Sequence, residues 1–492
     1  MIINLSKIDF GGIAAGGKSK PEEVFDVQPT TAEQTITPTA GSVFSGGTVH
    51  AVTSSIDSNI QPGNIKEGVS ILGVAGTLSG GSGVFVVPDG TKFKGSSFTE
   101  ISQLDTSNMT DMSQMFYECS NLQTAPQIDT SNVTNTAGMF YKCSSLTSIP
   151  QLNISNVTDT SSMFYGCSSL VTIPRLDTSK TTTMFNMFCQ CSSLTSIPQI
   201  DTPNVTSMYA TFYGCSNLTT IPLLDTSNVT TMWQMFQGCT GLTSIPLFNT
   251  QKVENMTNTF FNCSKLTSIP QLDTSSVVSM YGTFRGCSSL TTIPLIDTSN
   301  VKDMSGTFYG CSLTTIPQLD TSSVTDMSSM FENCPNLITI PQLNTSNVTN
   351  MSSMFNSCPK LATVPRLDTS KVTKMGQMFA FGNDLSTVEG IDFSSLTSGP
   401  SYLFGYSKKE KITRFIVNGK INVSMDSYSI GALTAIDYDS VKSILAAADR
   451  TDNTKAKTLT FDRTMTDQNG ELAALVTSCT SKGWTMTGLT IQ

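Results

Sequence analysis

Four aromatic residues, Phe185, Tyr209, Trp233 and Tyr281, recur at one position of a 24-residue pattern and are the side chains best placed for recognition chemistry. Earlier and later copies of the pattern carry small residues there: Ser113, Ala137 and Ser161, then Ser305, Ser328, Ser352 and Gly376, with Thr257 interrupting the aromatic run. Exposed aromatics are common anchors of a binding patch, and flat rings can stack on sugars. Two readings stand side by side. The rings could replace core volume, which suits Tyr209 and Tyr281 beside Thr211 and Thr283 but not Phe185 and Trp233 beside Met187 and Met235. Alternatively they form a ridge that binds a host-surface glycan; five repeats would span ~20 Å at the strand spacing, room for a few sugar rings.

Catalytic chemistry lacks its components. His50 is the one histidine, so neither a Ser/His/Asp nor a Cys/His arrangement can be assembled, and no carboxylate pair stands apart from the repeat. Gly12 to Ser19 matches a phosphate-binding loop letter for letter, but that loop must open a helix. Here Pro21 and Pro29 bracket a short acidic stretch, and a linker is the simpler account. Aspartates recur at Asp105, Asp129, Asp177, Asp201, Asp225, Asp273, Asp297, Asp320 and Asp368. Stacked carboxylates could chelate calcium, yet Asn153, Asn249 and Asn344 substitute as a turn acceptor would. No catalytic residue, metal ligand or cofactor is expected.

These residues must be positioned by a repeat. Eleven cysteines from Cys119 to Cys358 recur every 24 residues, apart from one step of 23 between Cys311 and Cys334. A Phe stands three residues before each, and an Ile-Pro or Val-Pro follows nearly all of them. Such a period predicts a leucine-rich-repeat solenoid of the α/β class, about twelve turns, each with one short strand and one helical segment. Leu146, Ile149 and Leu152 would mark the strand, which Pro150 ends. Val157, Met163 and Phe164 follow helical spacing after a capping Thr-Ser-Asn start. On that helix the ring position lies ~80° from the centre of the buried stripe, so the rings should be partly exposed. The cysteines are expected to be free: Cys is a compact apolar filler, and an odd-numbered ladder cannot pair fully.

The chain has 492 residues, 13% of them charged, and a net charge of -9. That balance argues against nucleic-acid binding, which calls for a basic stripe. No apolar run approaches the ~18 residues of a membrane span, and the N-terminus lacks the pattern of a secretory signal. The expected organisation is an attachment segment (1–25), a small β module that docks the protein (26–78), a Gly/Ser linker (79–83), an N-terminal cap (84–103), the solenoid (104–397) and a C-terminal βα cap (398–492). Within the last, Ala435 to Asp449 and Asp467 to Ser481 read as helices, with Thr458 to Phe461 and Trp484 to Ile491 as strands.

The unit Asp-Thr-Ser-Asn-Val-Thr-x-Met-Ser-x-Met-Phe-x-x-Cys-x-x-Leu-x-x-Ile-Pro closely resembles the BspA-like leucine-rich-repeat surface proteins of bacteria over residues 104–397, which implies adhesion or surface display. The flanks, Thr37 to Gly41 and Val49 to Thr77, resemble short modules near the N-termini of fibre proteins from phages of gut bacteria, and Ala456-Lys-Thr-Leu-Thr and Lys482-Gly-Trp-Thr resemble endings in that group. Together these resemblances imply a bacteriophage virion structural protein, a tail or head fibre assembled in the host cytoplasm. Its N-terminal region would dock on other virion proteins and its repeats would meet a host-surface glycan or protein. A homotrimer joined mainly through the first 100 residues is expected, with no membrane insertion. The alternative is a bacterial surface adhesin or effector of the BspA-like family.

Overall fold

The computed structural model describes residues 70–71, 74–75, 85–101, 104–397, 402–405, 411–421, 433–450, 458–467 and 469–492. The Gly12 to Ser19 pattern, His50, the attachment segment, the linker and most of the expected β module lie outside them. The chain divides into two compact units, Met1–Asp225 and Thr226–Gln492.

In both units successive repeats stack as parallel turns, but the turns are not the alternation of strand and helix that the spacing suggests. No α-helix occurs among the described residues of 104–397. The segment from Met112 to Cys119 shows why. Met112, Met115, Phe116 and Cys119 are fully buried at i, i+3, i+4 and i+7, the spacing of a helix. Yet Gln114 and Glu118 sit at φ of 57° and 58°, as do their counterparts in the repeats that follow, such as Ser162, Gly166, Ala210, Gly214, Asn258 and Asn262. A left-handed residue every fourth position cannot belong to an α-helix, which needs negative φ throughout. The segment is instead a series of overlapping turns: Met115 N–H donates to Met112 O, Tyr117 to Gln114 and Cys119 to Phe116, at 3.1–3.2 Å.

The amides in between reach the next repeat. Met112 N–H donates to Asn135 O, Gln114 to Ala137, Phe116 to Met139 and Glu118 to Tyr141, at 2.6–3.0 Å. Every amide of the segment from Met115 to Cys119 is thereby satisfied, as burial against the core demands. Unit two repeats the pattern, with Met232, Gln234, Phe236 and Gly238 donating to Asn255, Thr257, Thr259 and Phe261. Buried threonines add a second tie, Thr202 Oγ1 to Asp225 O at 2.8 Å and Thr250 Oγ1 to Asp273 O at 2.6 Å. The stretch Leu146 to Leu152, expected as a strand, makes a single parallel bridge from Ser148 to Thr124. Pro150 removes the donor that would extend it.

The core is a set of columns. Phe116, Phe140, Phe164, Phe188 and Phe212 stack at 5.3–5.7 Å in unit one, and Phe236 to Phe379 at 5.6–5.9 Å in unit two. The cysteines run beside them, all buried and free. Within each unit the column thiols point back at a carbonyl of the preceding turn; Cys143 Sγ to Phe116 O and Cys263 Sγ to Phe236 O are both 3.1 Å. Before the first repeat, β3 (Phe85–Val86) pairs in parallel with β4 (Leu104–Asp105), and Phe93 stacks on Phe116 at 5.6 Å. Further upstream, β1 (Ser70–Ile71) and β2 (Val74–Ala75) pair antiparallel.

The stacking continues past residue 397. Tyr402 adopts φ 55°, Phe379 N–H donates to Leu403 O, and Phe404 extends the Phe column at 5.7 Å from Phe379. Then β5 (Thr387–Asp392) pairs in parallel with β6 (Arg414–Asn418), against which α1 (Tyr438–Asp449) packs. Asp437 caps α1 by accepting from Ser440 N–H at 2.8 Å. Arg414 ties β5 to the helix entrance through Glu389, Asp437 and Asp439. Finally β7 (Thr458–Met465), α2 (Glu471–Ser481) and β8 (Thr485–Ile491) complete the strand and helix order read from the sequence, with β7 and β8 parallel and Trp484 buried. No helix among the described residues is long and apolar enough to cross a membrane.

Candidate functional site

The ring position, second residue of each turn series (Ser113 in the segment from Met112 to Cys119), is held in place by the residue two before it. Asp111 Oδ1 accepts from Ser113 N–H at 2.8 Å, Asn135 Oδ1 from Ala137 at 2.9 Å, and Asp159 Oδ1 from Ser161 at 2.8 Å. These capping residues also form the parallel bridges of the stack. Where the ring position is aromatic, the cap changes. Thr183 Oγ1 accepts from Phe185 N–H, Ser207 Oγ from Tyr209, Thr231 Oγ1 from Trp233 and Ser279 Oγ from Tyr281, at 3.2–3.4 Å. Where a small residue returns, at Thr257, Ser305, Ser328 and Ser352, so do Asn255, Asp303, Asp326 and Asn350, at 2.8–3.1 Å. Each aromatic is paired with an uncharged hydroxyl and each small residue in these turns with a carboxylate or amide.

The rings themselves are at the surface. Phe185, Trp233 and Tyr281 are 40%, 41% and 41% exposed, and Tyr209 is half-buried. In unit one Phe185 and Tyr209 stack at 5.0 Å and 11°; Trp233 and Tyr281 belong to unit two, two repeats apart. The exposure expected from a helical wheel is therefore present on a backbone that is not a helix. Core compensation does not explain these rings. Thr211, Thr259, Thr283 and Thr307 all replace a core Met, and each hydroxyl is satisfied by a backbone carbonyl, for example Thr211 Oγ1 to Met184 O and Thr259 Oγ1 to Met232 O at 3.0 Å. Two of the four lie beside rings and two beside Thr257 and Ser305.

A second aromatic column, four residues further along the same turns, escaped the sequence reading because it belongs to the consensus. Tyr117, Tyr141 and Tyr165 stack at 4.5 and 4.7 Å. In unit two the column holds Phe261, Arg285 and Tyr309, with the Arg285 guanidinium 5.7 Å from the first ring and 4.0 Å from the second. Burial pushes the Tyr117 and Tyr165 phenols up, so they stay protonated hydroxyls. The two columns trade off: Tyr117, Tyr141, Tyr165, Phe261 and Tyr309 accompany small residues, whereas Phe185, Trp233 and Tyr281 accompany Cys189, Gln237 and Arg285. Among these turns Tyr209 and Tyr213 are the one double occupancy.

Most of the aspartate series from Asp105 to Asp368 is taken up by its own turns; Asp201, two residues before Pro203, instead pairs with Arg175 at 3.3 Å. Asp105 Oδ1 accepts from Ser107 Oγ and N–H, Asp273 from Ser275, and Asp368 from Ser370; these bonds hold the carboxyls below the usual range. A groove of about 820 Å³ in unit two runs along Asp320, Asn344 and Asp368. Its Asx oxygens already accept from Ser322, Ser346 and Ser370. Among the described residues no three His, Cys, Asp or Glu side chains gather to hold a metal ion. The column thiols are also withdrawn from chemistry: burial raises Cys143 and Cys167 well above the ordinary value and pushes Cys119 up to about 12. What the surface offers is ring faces, ring edges and hydroxyls.

A family model described as a Mycoplasma protein of unknown function, DUF285, matches residues 90–197, 182–293, 241–336, 278–390 and 312–411, together about two thirds of the chain. No curated protein matches. Among solved structures, a leucine-rich cell surface protein from Faecalibacterium prausnitzii A2-165 is 20% identical, with 66% of this chain and 80% of that one covered at a TM-score of 0.33. A leucine-rich-repeat protein from Eubacterium ventriosum is 18% identical, with 61% and 89% covered at a TM-score of 0.32.

Proposed function

The chain belongs to the DUF285 family through its repeats, and from that starting point we propose that it is a non-enzymatic recognition protein displayed at a bacterial surface, with glycan-binding rings in each unit, Phe185 and Tyr209 in one and Trp233 and Tyr281 in the other. The observation that carries this reading is the paired exchange of ring and cap. Solvent-exposed aromatics cost solubility and gain nothing from the core, yet each one here comes with its own hydroxyl in place of Asx. The resemblance of residues 104–397 to BspA-like surface proteins supports display at a surface. The decisive experiment replaces all four rings with Ser, the residue most other turns use there. Binding of the labelled protein to cells and to a glycan array should fall to background with the melting temperature nearly unchanged; undiminished binding by the folded variant refutes the reading.

A virion fibre is the second reading, favoured by the resemblance of residues 37–77 to fibre modules. It keeps the same binding face and changes only the anchor: the N-terminal region would dock on other virion proteins, as a homotrimer. Genes for tail or capsid proteins beside this one would support it, and recovery of the protein from washed bacterial surfaces would favour the adhesin.

A further inference from the structure

We infer that the last rung of the second unit, α2 with β8, is an interface through which two copies of this chain pair about a two-fold axis. The rung is covered on one side and open on the other. β8 pairs in parallel with β7 alone, in a sheet of two strands, so among the described residues no strand lies along its second edge. β7 buries Leu459, Phe461 and Met465. In β8 Met486 stands beside Leu459 and Ile491 beside Met465, yet Met486, Leu489 and Ile491 all stay partly exposed. The helices differ in the same way. α1 buries Val441, Ile444, Leu445, Ala447 and Ala448, whereas in α2 the stripe Leu472, Leu475, Val476 and Cys479 has helical spacing and only its first and last members are buried.

The open side also lacks charge. From residue 470 to 492 the charged side chains are Glu471 and Lys482, and both turn to α1: Glu471 pairs with Lys442 at 2.6 Å and Lys482 with Asp449 at 3.1 Å. β8 itself, Thr-Met-Thr-Gly-Leu-Thr-Ile, carries no charge and no proline, whereas β5 has Glu389 and Asp392, β6 has Arg414 and β7 has Asp462 and Arg463. Free edges are ordinarily kept from pairing by charged side chains, by proline or by being very short. β8 runs for seven residues and uses none of these three. Its one irregularity is Gly488, at φ 70°.

A second copy fits this edge better than an isolated peptide does. The rung has two layers, so a peptide strand would satisfy β8 and leave Leu475 and Val476 open; another rung brings a strand and a helix together. The edge is also self-complementary. In the turn series the amides that reach the next repeat all donate in one direction, so two like ends would meet donor to donor. Along a strand N–H and C=O alternate, so two β8 strands can run antiparallel and exchange bonds, and with no charged side chain on either no like charges meet. The result is a closed pair. A strand of seven residues is ~23 Å long, and strand and helix layers together are ~20 Å deep, so each copy offers about 400–500 Å². That is less than the ~800 Å² a side of a standard interface, which makes the pair reversible. Pairing does not depend on what the rings bind, but it would carry every ring twice and multiply weak surface contacts.

Sedimentation of the full chain from low to high micromolar concentration should show a species of doubled mass growing in. Thr487→Lys combined with Thr490→Lys, at two exposed positions of β8, brings like charges together across the pair. This variant should lose the doubling while its melting temperature at low concentration matches that of wild type. A mass that never doubles, whether that of a monomer or of a trimer held by the first 100 residues, overturns the interface. So does doubling that persists in the Lys variant. If the variant fails to fold, amide exchange of wild type decides: protection of residues 485–491 must rise with protein concentration, and protection independent of concentration refutes the pair.

Discussion

Replacing Gly214 by Ala decides between the turn series and a helix by the sign of its effect. Gly214 adopts φ 71°, and a Cβ added there would meet Gln190 at 3.6–3.9 Å, ordinary contact. The cost is therefore backbone strain alone, about 1–2 kcal/mol for an L-residue in the left-handed region. The unfolded chain loses entropy with the extra methyl, which returns about 0.4–1 kcal/mol. The net expectation is a destabilisation of roughly 0.5–1 kcal/mol. In a helix the same change would stabilise by about 0.5–1 kcal/mol. Gly310→Ala, at φ 69° with its nearest neighbour at 3.7 Å, should behave alike, so the pair lowers stability by about 1–2 kcal/mol. The exposed Gln190, at φ 61°, gives the reverse comparison, because Gln190→Gly relieves strain and should not destabilise. Urea denaturation of the full chain, with amide exchange across residues 205–218, reads both signs. Stabilisation by Gly214→Ala together with destabilisation by Gln190→Gly would refute the left-handed turns.

The buried thiols should be invisible to Ellman's reagent at neutral pH in the folded protein and react fully in denaturant. Because the folded value of Cys119 and Cys287 is pushed up to about 12 from 9.0, stability is complete below pH 9 and falls as the unfolded thiols ionise above it, so the urea midpoint should drop from pH 9 towards 12. A flat profile across that window would place the thiols in solvent. Thr250→Val keeps the shape but removes the donor to Asp273 O; a loss of about 1 kcal/mol in urea unfolding is expected, and no loss would mean that the carbonyl finds another donor.

The period, the Phe and Cys columns and the closing strand and helix order were legible in the sequence because each rests on burial, which a hydrophobic pattern records directly. The backbone of the turns was not. Met112, Met115, Phe116 and Cys119 reproduce helical spacing, and nothing in that pattern reports the sign of φ. The warning lay in the glycines: Gly166, Gly214, Gly238, Gly286 and Gly310 precede the column cysteines, and Gly138, Gly282 and Gly306 stand five residues before theirs, where a helix would lose stability. The four rings were found by their clustering. Their hydroxyl caps were missed although Thr183, Ser207, Thr231 and Ser279 are plain to see, because the pairing gains meaning only through a hydrogen bond two residues long.

The bonds between repeats also give the stack a direction. In the segment from Met112 to Glu118 every second N–H points to the following repeat, and the carbonyls of Asn135, Ala137, Met139 and Tyr141 point back. Four files of peptide groups are thus aligned with the same sense, where an ordinary parallel sheet alternates them and cancels. Each peptide carries about 3.5 D, and aligned files add as they do along a helix axis. A severed array would therefore present bare carbonyls at one end and bare amides at the other. Like ends repel, unlike ends match, and copies cut inside the repeats would join head to tail into open filaments instead of closed pairs.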